Sequence, residues 1–143
     1  MTKKTIKCGI MSRKDFMKRS IAIAKGEYKP KRGEPKVWFE SLQTMAQILS
    51  DENRNLLSTI IKEKPESIQS LAELTGRKKG NVSRTLKKMH QYGIVDFQVS
   101  NRAKKPIVNY TDFKLEVALN TYPTFLLDDQ KQYDVKSYKR GLK

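Results

Sequence analysis

Apolar residues recur along this chain at two different spacings, and each spacing predicts a different kind of element. At the N-terminus, Ile6, Cys8 and Ile10 alternate with more polar residues. A period of two predicts a short strand within residues 1–11, half buried on one face. Cys8 lies on the apolar face, so it is predicted to be a small buried hydrophobe rather than a reactive thiol.

A helix is predicted to begin at Ser12, where Asp15 completes a weak capping box. It should end near Gly26, and the Pro-, Gly- and Lys-rich residues 29–36 are predicted to form an exposed linker. One face of the helix is apolar and is predicted to be buried, while the opposite faces are basic. The apolar face contains Met17, Ile21, Ala24 and Tyr28, with Phe16 and Ile23 beside it, and the basic residues are Arg13, Lys14, Lys18, Arg19 and Lys25.

Two more helical patterns follow the bulky apolar cluster at residues 37–39. The first has Ser41 as a plausible N-cap, and the second begins at Ser50 or Asp51 and stops before Pro65. The predicted apolar positions are Leu42, Met45, Ala46 and Leu49 in the first helix, and Leu56, Leu57, Ile60 and Ile61 in the second.

Residues 67–92 predict two helices joined by a tight turn. Ala72 is small enough to let the second helix approach the first, and Gly76 suits a turn that needs a positive φ. Val82 then packs the second helix, about residues 78–92, back onto the first. This spacing is typical of a helix-turn-helix, whose second helix lies in the DNA major groove. Ser67 is the predicted cap of the first helix, and its buried side is Ile68, Leu71 and Leu74.

A β-hairpin is predicted directly after this motif. Gly93 has the position of a C′ glycine, and two apolar runs follow on either side of the basic residues 100–106. A further strand is predicted within residues 113–119, with a short helix as the alternative. Helix-turn-helix followed by a hairpin with a basic tip is the winged form of the motif, and two independent periodicities agree on it. The strand residues are Ile94, Val95, Phe97 and Val99, then Ile107, Val108 and Tyr110.

The net charge and the residue composition limit the classes of function that the protein can have. The formal net charge is +15, which favours a polyanionic partner. With one cysteine, Cys8, and one histidine, His90, most metal sites and His-based triads are excluded. The carboxylate pair Asp128 and Asp129 has no histidine partner. We therefore predict no enzyme activity, no cofactor and no metal site. Without a membrane-spanning run or a signal peptide, the chain is predicted to be cytoplasmic.

Residues 76–105 contain nine basic residues against the single acid Asp96. Arg84 and Asn81 have side chains able to form paired hydrogen bonds with guanine or adenine edges, whereas lysines more often contact phosphates. In the hairpin turn, an arginine could enter a narrow minor groove. The predicted DNA-binding residues are Lys78, Lys79, Asn81, Ser83, Arg84, Lys87 and Lys88 on the helix, and Arg102, Lys104 and Lys105 on the wing.

The segment from about Trp38 to Tyr110 resembles the winged helix-turn-helix regulators of the MarR-like group. It resembles more closely a family of small predicted transcriptional regulators, some of them antitoxins encoded beside a toxin. The resemblance is seen in FESLQTMAQILSDENRNLLSTI and SIQSLAELTGRKKGNVSRTLKKMHQYGIV, and the N-terminal IKCGIMSRKDF also resembles the lead-in of that family. It implies a homodimer that reads two half-sites. The Met17–Ile21–Ala24–Tyr28 stripe and the Val37–Trp38–Phe39 cluster are predicted either to bury against a second copy or to pack onto their own domain.

The predicted fold is mainly α with a small β-hairpin (α+β). Residues 1–36 form an N-terminal strand-helix extension with a basic linker, 37–119 a winged helix-turn-helix domain, and 120–143 a C-terminal tail. The predicted function is a sequence-specific, double-stranded DNA-binding transcriptional regulator, in particular a repressor. One alternative is an antitoxin that regulates its own operon and binds a toxin through the segment after residue 120. Another is an RNA-binding or architectural winged-helix protein.

Overall fold

The computed structural model describes residues 2–119, and within them it has five helices and five strands. The fold is mixed α and β and is compatible with a winged helix. The strands predicted within residues 1–11, at residues 94–99 and within residues 113–119 are confirmed. In chain order the elements are β1 Thr5–Ile10, α1 Arg13–Ala24, β2 Val37–Phe39, α2 Leu42–Ile48, α3 Asp51–Glu63, α4 Ile68–Thr75, α5 Lys79–Gln91, β3 Val95–Ser100, β4 Ala103–Val108 and β5 Asp112–Glu116.

The strands form two sheets, and the described residues group into two compact units. One sheet has the order β2-β1-β5, and the other is the antiparallel pair β3-β4. One unit comprises residues 2–6 and 42–114, and the other comprises residues 7–41 and 115–119. The domain boundaries expected from the sequence, after residues 36 and 119, remain a prediction.

In the first unit, α4 packs against α3 and α5, and the β3-β4 hairpin contacts all three helices. Ser67 caps α4 as predicted, since it accepts from the Ser70 N–H. The helix predicted to begin at Ser50 or Asp51 has Ser50 as its cap, which accepts from the Asn53 N–H. These caps satisfy amides that would otherwise have no partner in the first helical turn. The largest fully buried side chains of this unit are Leu56, Leu71, Leu86, Met89, Ile94, Val82 and Val95.

Two predicted apolar stripes in this unit were partly wrong. Leu74 of α4 is 54% exposed, so this helix is buried mainly through Leu71 and Ala72. In α2 the buried residue is Ile48, whereas Leu42 and Ala46 are exposed. A helix of seven or eight residues has only about two turns, so a small rotation changes which residues face the core.

The second unit is built on the parallel pairing of β1 with β2, in which Cys8, Gly9 and Ile10 lie opposite Val37, Trp38 and Phe39. Cys8 is 1% exposed, which confirms its predicted burial. Gly9 has no space for a side chain, since a Cβ there would lie 2.5 Å from Trp38 Cζ3. The ring of Trp38 therefore covers the strand at the point where the chain has a glycine.

The predicted orientation of α1 was wrong. Met17 and Ile21 are 56% and 49% exposed, whereas Arg19, predicted to lie on a basic exposed face, is only 9% exposed. The guanidinium carbon of Arg19 lies 5.5 Å from the centre of the Trp38 ring and 5.8 Å from that of Tyr28. These aromatic faces attract the cation, which explains how an arginine is buried on α1.

Most of residues 29–36 form an exposed, irregular segment as predicted, but Glu34 and Pro35 turn inward. The Glu34 carboxylate accepts from the Tyr28 hydroxyl at 2.7 Å and from the Lys31 N–H at 2.6 Å. It also lies 3.7 Å from Arg19 Nη2, with both side chains nearly enclosed. Pro35 is buried as well. A buried charge without a partner would be costly, so the pairing with Arg19 allows the Glu34 carboxylate to lie inward.

Candidate nucleic-acid interface

The turn between α4 and α5 fixes which side of α5 faces the solvent. Gly76 has a φ of 70°, and its N–H donates to the Ala72 carbonyl, so the left-handed glycine predicted here is confirmed. Val82, Leu86 and Met89 are each 0% exposed, and they hold one side of α5 against the core. The remaining sides of α5 are therefore presented to solvent.

All seven residues predicted on this helix are exposed. Steps of about 100° per residue place Arg84 nearly opposite Leu86. On the same geometry Asn81 lies about 60° from Arg84, whereas Lys79 lies about 140° from it, in line with Leu86 at the start of the helix. Gly80 lies close to the centre of the exposed face, and no atom stands within 4 Å of the place where a Cβ would be. The exposed residues are Lys78, Lys79, Asn81, Ser83, Arg84, Lys87 and Lys88.

The N-terminus of α5 has no side-chain cap. Its N-cap residue, Lys78, makes no capping hydrogen bond, in contrast to Ser50 and Ser67 at the starts of α3 and α4. The amides of the first turn and the positive end of the helix dipole favour an anion at this position. Lysines at positions 78 and 79 add to that positive potential.

Arg77 makes a network of hydrogen bonds that sequence reasoning missed. Its guanidinium donates to Asn53 Oδ1 of α3 at 3.2 Å, and to Asn81 Oδ1 and Thr85 Oγ1 of α5 at 3.0 Å and 3.2 Å. Arg77, Asn81 and Thr85 are spaced by four residues, and in a helix this spacing indicates that the three side chains can contact one another. The contact with Asn53, 24 residues away, leaves no such signal in the sequence.

The hairpin is longer, and its turn shorter, than the sequence predicted. Ser100 pairs with Ala103, so only Asn101 and Arg102 form the turn. Their φ angles are 48° and 68°, as in a type I′ turn, which matches the twist of the flanking strands. Arg102 is thus exposed at the tip of the hairpin.

The two wing lysines lie on β4 rather than in the turn. Lys104 is exposed, and its ammonium is 5.7 Å from the centre of the Phe97 ring. Lys105 is half-buried, with its ammonium 3.5 Å from Glu66 Oε1. Lys105 therefore lies beside a carboxylate, whereas Lys104 lies beside an aromatic ring.

His90 connects the end of α5 to the start of the hairpin. Its Nδ1 lies 2.7 Å from the Val95 carbonyl, and its ring is 5.3 Å from that of Phe97. These contacts give His90 a position at the boundary of the helix and the hairpin, away from the face centred on Arg84.

Between residues 2 and 119, no group of three or more His, Cys, Asp or Glu side chains could hold a metal ion. None of the helices in that range is long and apolar enough to cross a membrane. Asp128, Asp129 and the segment predicted to contact a toxin lie outside the described residues.

A protein-family model described as HVO_A0114 matches residues 48–115, from the end of α2 to β5. No curated protein matches the chain. Among solved structures, the chain is similar to the crystal structure of a predicted DNA-binding transcriptional regulator from E. coli. The identity is 17% and the TM-score 0.39, over 66% of this chain and 82% of that chain.

Proposed function

We propose that this protein is a sequence-specific regulator of transcription that binds double-stranded DNA through α5 and the β3-β4 hairpin. The observation that supports this best is the exposed basic face of α5, set opposite the buried residues Val82, Leu86 and Met89. A solvated face needs no such concentration of positive charge, whereas a helix in the major groove does.

Each part of this surface has a chemical role in the proposal. Arg84, at the centre of the face, reads a guanine through its O6 and N7 atoms. Lys79 and Lys87 neutralise phosphates, which gives affinity that depends on salt and not on sequence. Arg102, at the tip of the hairpin, reaches the adjacent minor groove or backbone. No chemical step is required of any residue, so we propose a non-enzymatic function.

The proposal is tested by selecting bound duplexes from a random pool and then measuring the affinity of Arg84→Ala and Lys87→Ala variants. Arg84→Ala should lose about 1–3 kcal/mol at the selected site and relax the preference at one base pair. Lys87→Ala should weaken binding to all duplexes and lower the salt dependence by about one phosphate contact.

Lys62→Ala is the matched control, because it removes the same charge from an exposed position on α3. Lys62→Ala should bind like the wild type. If Arg84→Ala and Lys87→Ala also bind like the wild type, α5 is not the recognition helix. If structured RNA is bound more tightly than duplex DNA at physiological salt, the protein is an RNA-binding protein instead.

We further propose that the regulator acts as a homodimeric repressor, with one α5 for each half-site of its operator. The support is the side of α1 that contains Phe16, Met17 and Ile21, all of which are large apolar residues with more than two fifths of their surface exposed. A second copy of the chain would remove this apolar surface from water.

A further inference from the structure

The geometry points to Arg77 as a positioning residue that determines which base Asn81 reads. We infer that Arg77 occupies the side-chain carbonyl of Asn81 and leaves only its NH₂ group for the DNA. Asn81 would then prefer guanine over adenine. This inference rests on the proposed function, because it takes α5 to be the helix in the major groove.

The orientation of the Asn81 amide follows from the chemistry of its partner. Arg77 Nε lies 3.0 Å from Asn81 Oδ1, and Nη2 of the same guanidinium donates to the same oxygen. Arginine has five donors and no acceptor, so the atom of Asn81 that faces it must be the oxygen. The NH₂ group of Asn81 is therefore the end that remains available.

The two bonds from Arg77 also use the whole accepting capacity of that oxygen. A side-chain carbonyl has two lone pairs, and both are engaged, one by Nε and one by Nη2. Asn81 itself is exposed in the first turn of α5, where a base edge or phosphate could approach it. As held by Arg77, it can donate hydrogen bonds to DNA but cannot accept one.

Arg77 is held in place from its other side by α3. Its Nη1 donates to Asn53 Oδ1 at 3.2 Å, and Asn53 Nδ2 donates to the carbonyls of Gln47 and Ile48 at 3.2 Å and 3.0 Å. Reversing the Asn53 amide would place its donors against Arg77 and its oxygen against two carbonyls. Each amide in the network thus has one orientation that satisfies its partners.

The orientation of the Asn81 amide determines which base edges it can contact in the major groove. An unconstrained asparagine reads adenine by accepting from N6 and donating to N7. A donor-only asparagine loses the N6 contact, but it can still donate to N7 and O6 of guanine. Arg77 thereby converts a residue that usually selects adenine into one that selects guanine.

The test is selection of bound duplexes by the full chain, as wild type, Arg77→Ala and Arg77→Lys, followed by measurement of guanine against adenine at each position. In Arg77→Ala the carbonyl of Asn81 is released, so the ratio at one base pair should shift roughly tenfold toward adenine. Arg77→Lys can still donate to that carbonyl and should keep most of the guanine preference. Removing a positive charge lowers the affinity for all sequences equally, so it does not change the ratio of guanine to adenine.

If Arg77→Ala does not fold, a second variant, Asn81→Asp, tests whether residue 81 presents a hydrogen-bond donor to the base. The aspartate can pair with Arg77 and presents an oxygen where the wild type presents NH₂. Its preference at that base pair should therefore move to cytosine or adenine, whose amino groups are donors.

If Arg77→Ala weakens binding to all sequences while the selected motif stays the same, Arg77 is only a structural or phosphate-contacting residue and the inference is wrong. A motif unchanged in Asn81→Asp also overturns it. A wild-type protein that selects no motif overturns the proposed function itself, which is a different result from a motif that is insensitive to residue 77.

Discussion

Cys8 is a residue whose acid–base chemistry the fold changes. It is 1% exposed, and burial raises the pKa of its thiol to about 11 from an ordinary value of 9.0. The charged thiolate is disfavoured there because it cannot be hydrated. Cys8 is therefore a packing residue of β1, and reagents that need a thiolate should react with it slowly until the chain unfolds.

The raised pKa predicts a loss of stability at alkaline pH. Between pH 9 and 11 the unfolded chain releases the thiol proton while the folded chain keeps it, so the free energy of unfolding falls as the pH rises. The limit is about 1.4 kcal/mol per pH unit for one group. We expect denaturant titrations at pH 8 and 10.5 to show that the free energy of unfolding falls more in the wild type than in Cys8→Ala. Parallel losses in the two proteins would mean that Cys8 makes no contribution.

At the scale of single elements, the two glycines near the start of α5 should respond oppositely to alanine. Gly76 has a φ of 70°, where a Cβ is strained, so Gly76→Ala should destabilise the fold by about 1 kcal/mol. Gly80 lies in the helix and has open space around it, so Gly80→Ala should stabilise by up to about 1 kcal/mol. Chemical denaturation of both variants measures the two effects.

Gly80→Ala should nevertheless weaken binding to DNA. The added methyl group projects from the face that contains Arg84, and it would keep the first turn of α5 away from the floor of the groove. The expected result is a variant that melts at a higher temperature and binds its selected site less tightly. Unchanged affinity would show that the first turn of α5 does not approach the DNA.

The hairpin offers a comparison of two charges with different surroundings. Arg102 is exposed at the turn, whereas the Lys105 ammonium is 3.5 Å from Glu66. Arg102→Ala should lower the dependence of affinity on salt by about one contact, and Lys105→Ala by clearly less. Measuring affinity over a series of salt concentrations tests this, and equal effects would mean that Lys105 leaves Glu66 to contact DNA.

At the scale of the whole molecule, the proposed homodimer predicts a dependence on the exposed side of α1. Ile21→Lys places a charge among large apolar residues, so it should lower the mass measured by sedimentation equilibrium from that of a dimer to that of a monomer. Lys14→Glu alters the charge at an exposed polar position of the same helix and serves as the control. A wild type that sediments as a monomer at all concentrations, with and without operator DNA, would exclude this dimer.

The features that could be predicted depend on residues close together in the chain. The capping serines Ser50 and Ser67, the left-handed Gly76 and the buried side of α5 were all predictable. Each is decided within about one or two helical turns, by local hydrogen bonds or by periodicity. The existence of the hairpin was predictable for the same reason, although the extent of its turn was not.

Tertiary structure alone decided the features that depend on distant partners. Arg19 is buried because Trp38 and Glu34 lie beside it, and no periodicity within α1 reveals that. Lys105 is drawn toward Glu66, and Arg77 joins α3 to α5 through Asn53. Helical spacing shows which residues share a face, but which face is buried and which charges are neutralised depend on what packs against it. For that reason the sequence predicted the basic face of α5, whereas the donor-only state of Asn81 became visible only in the fold.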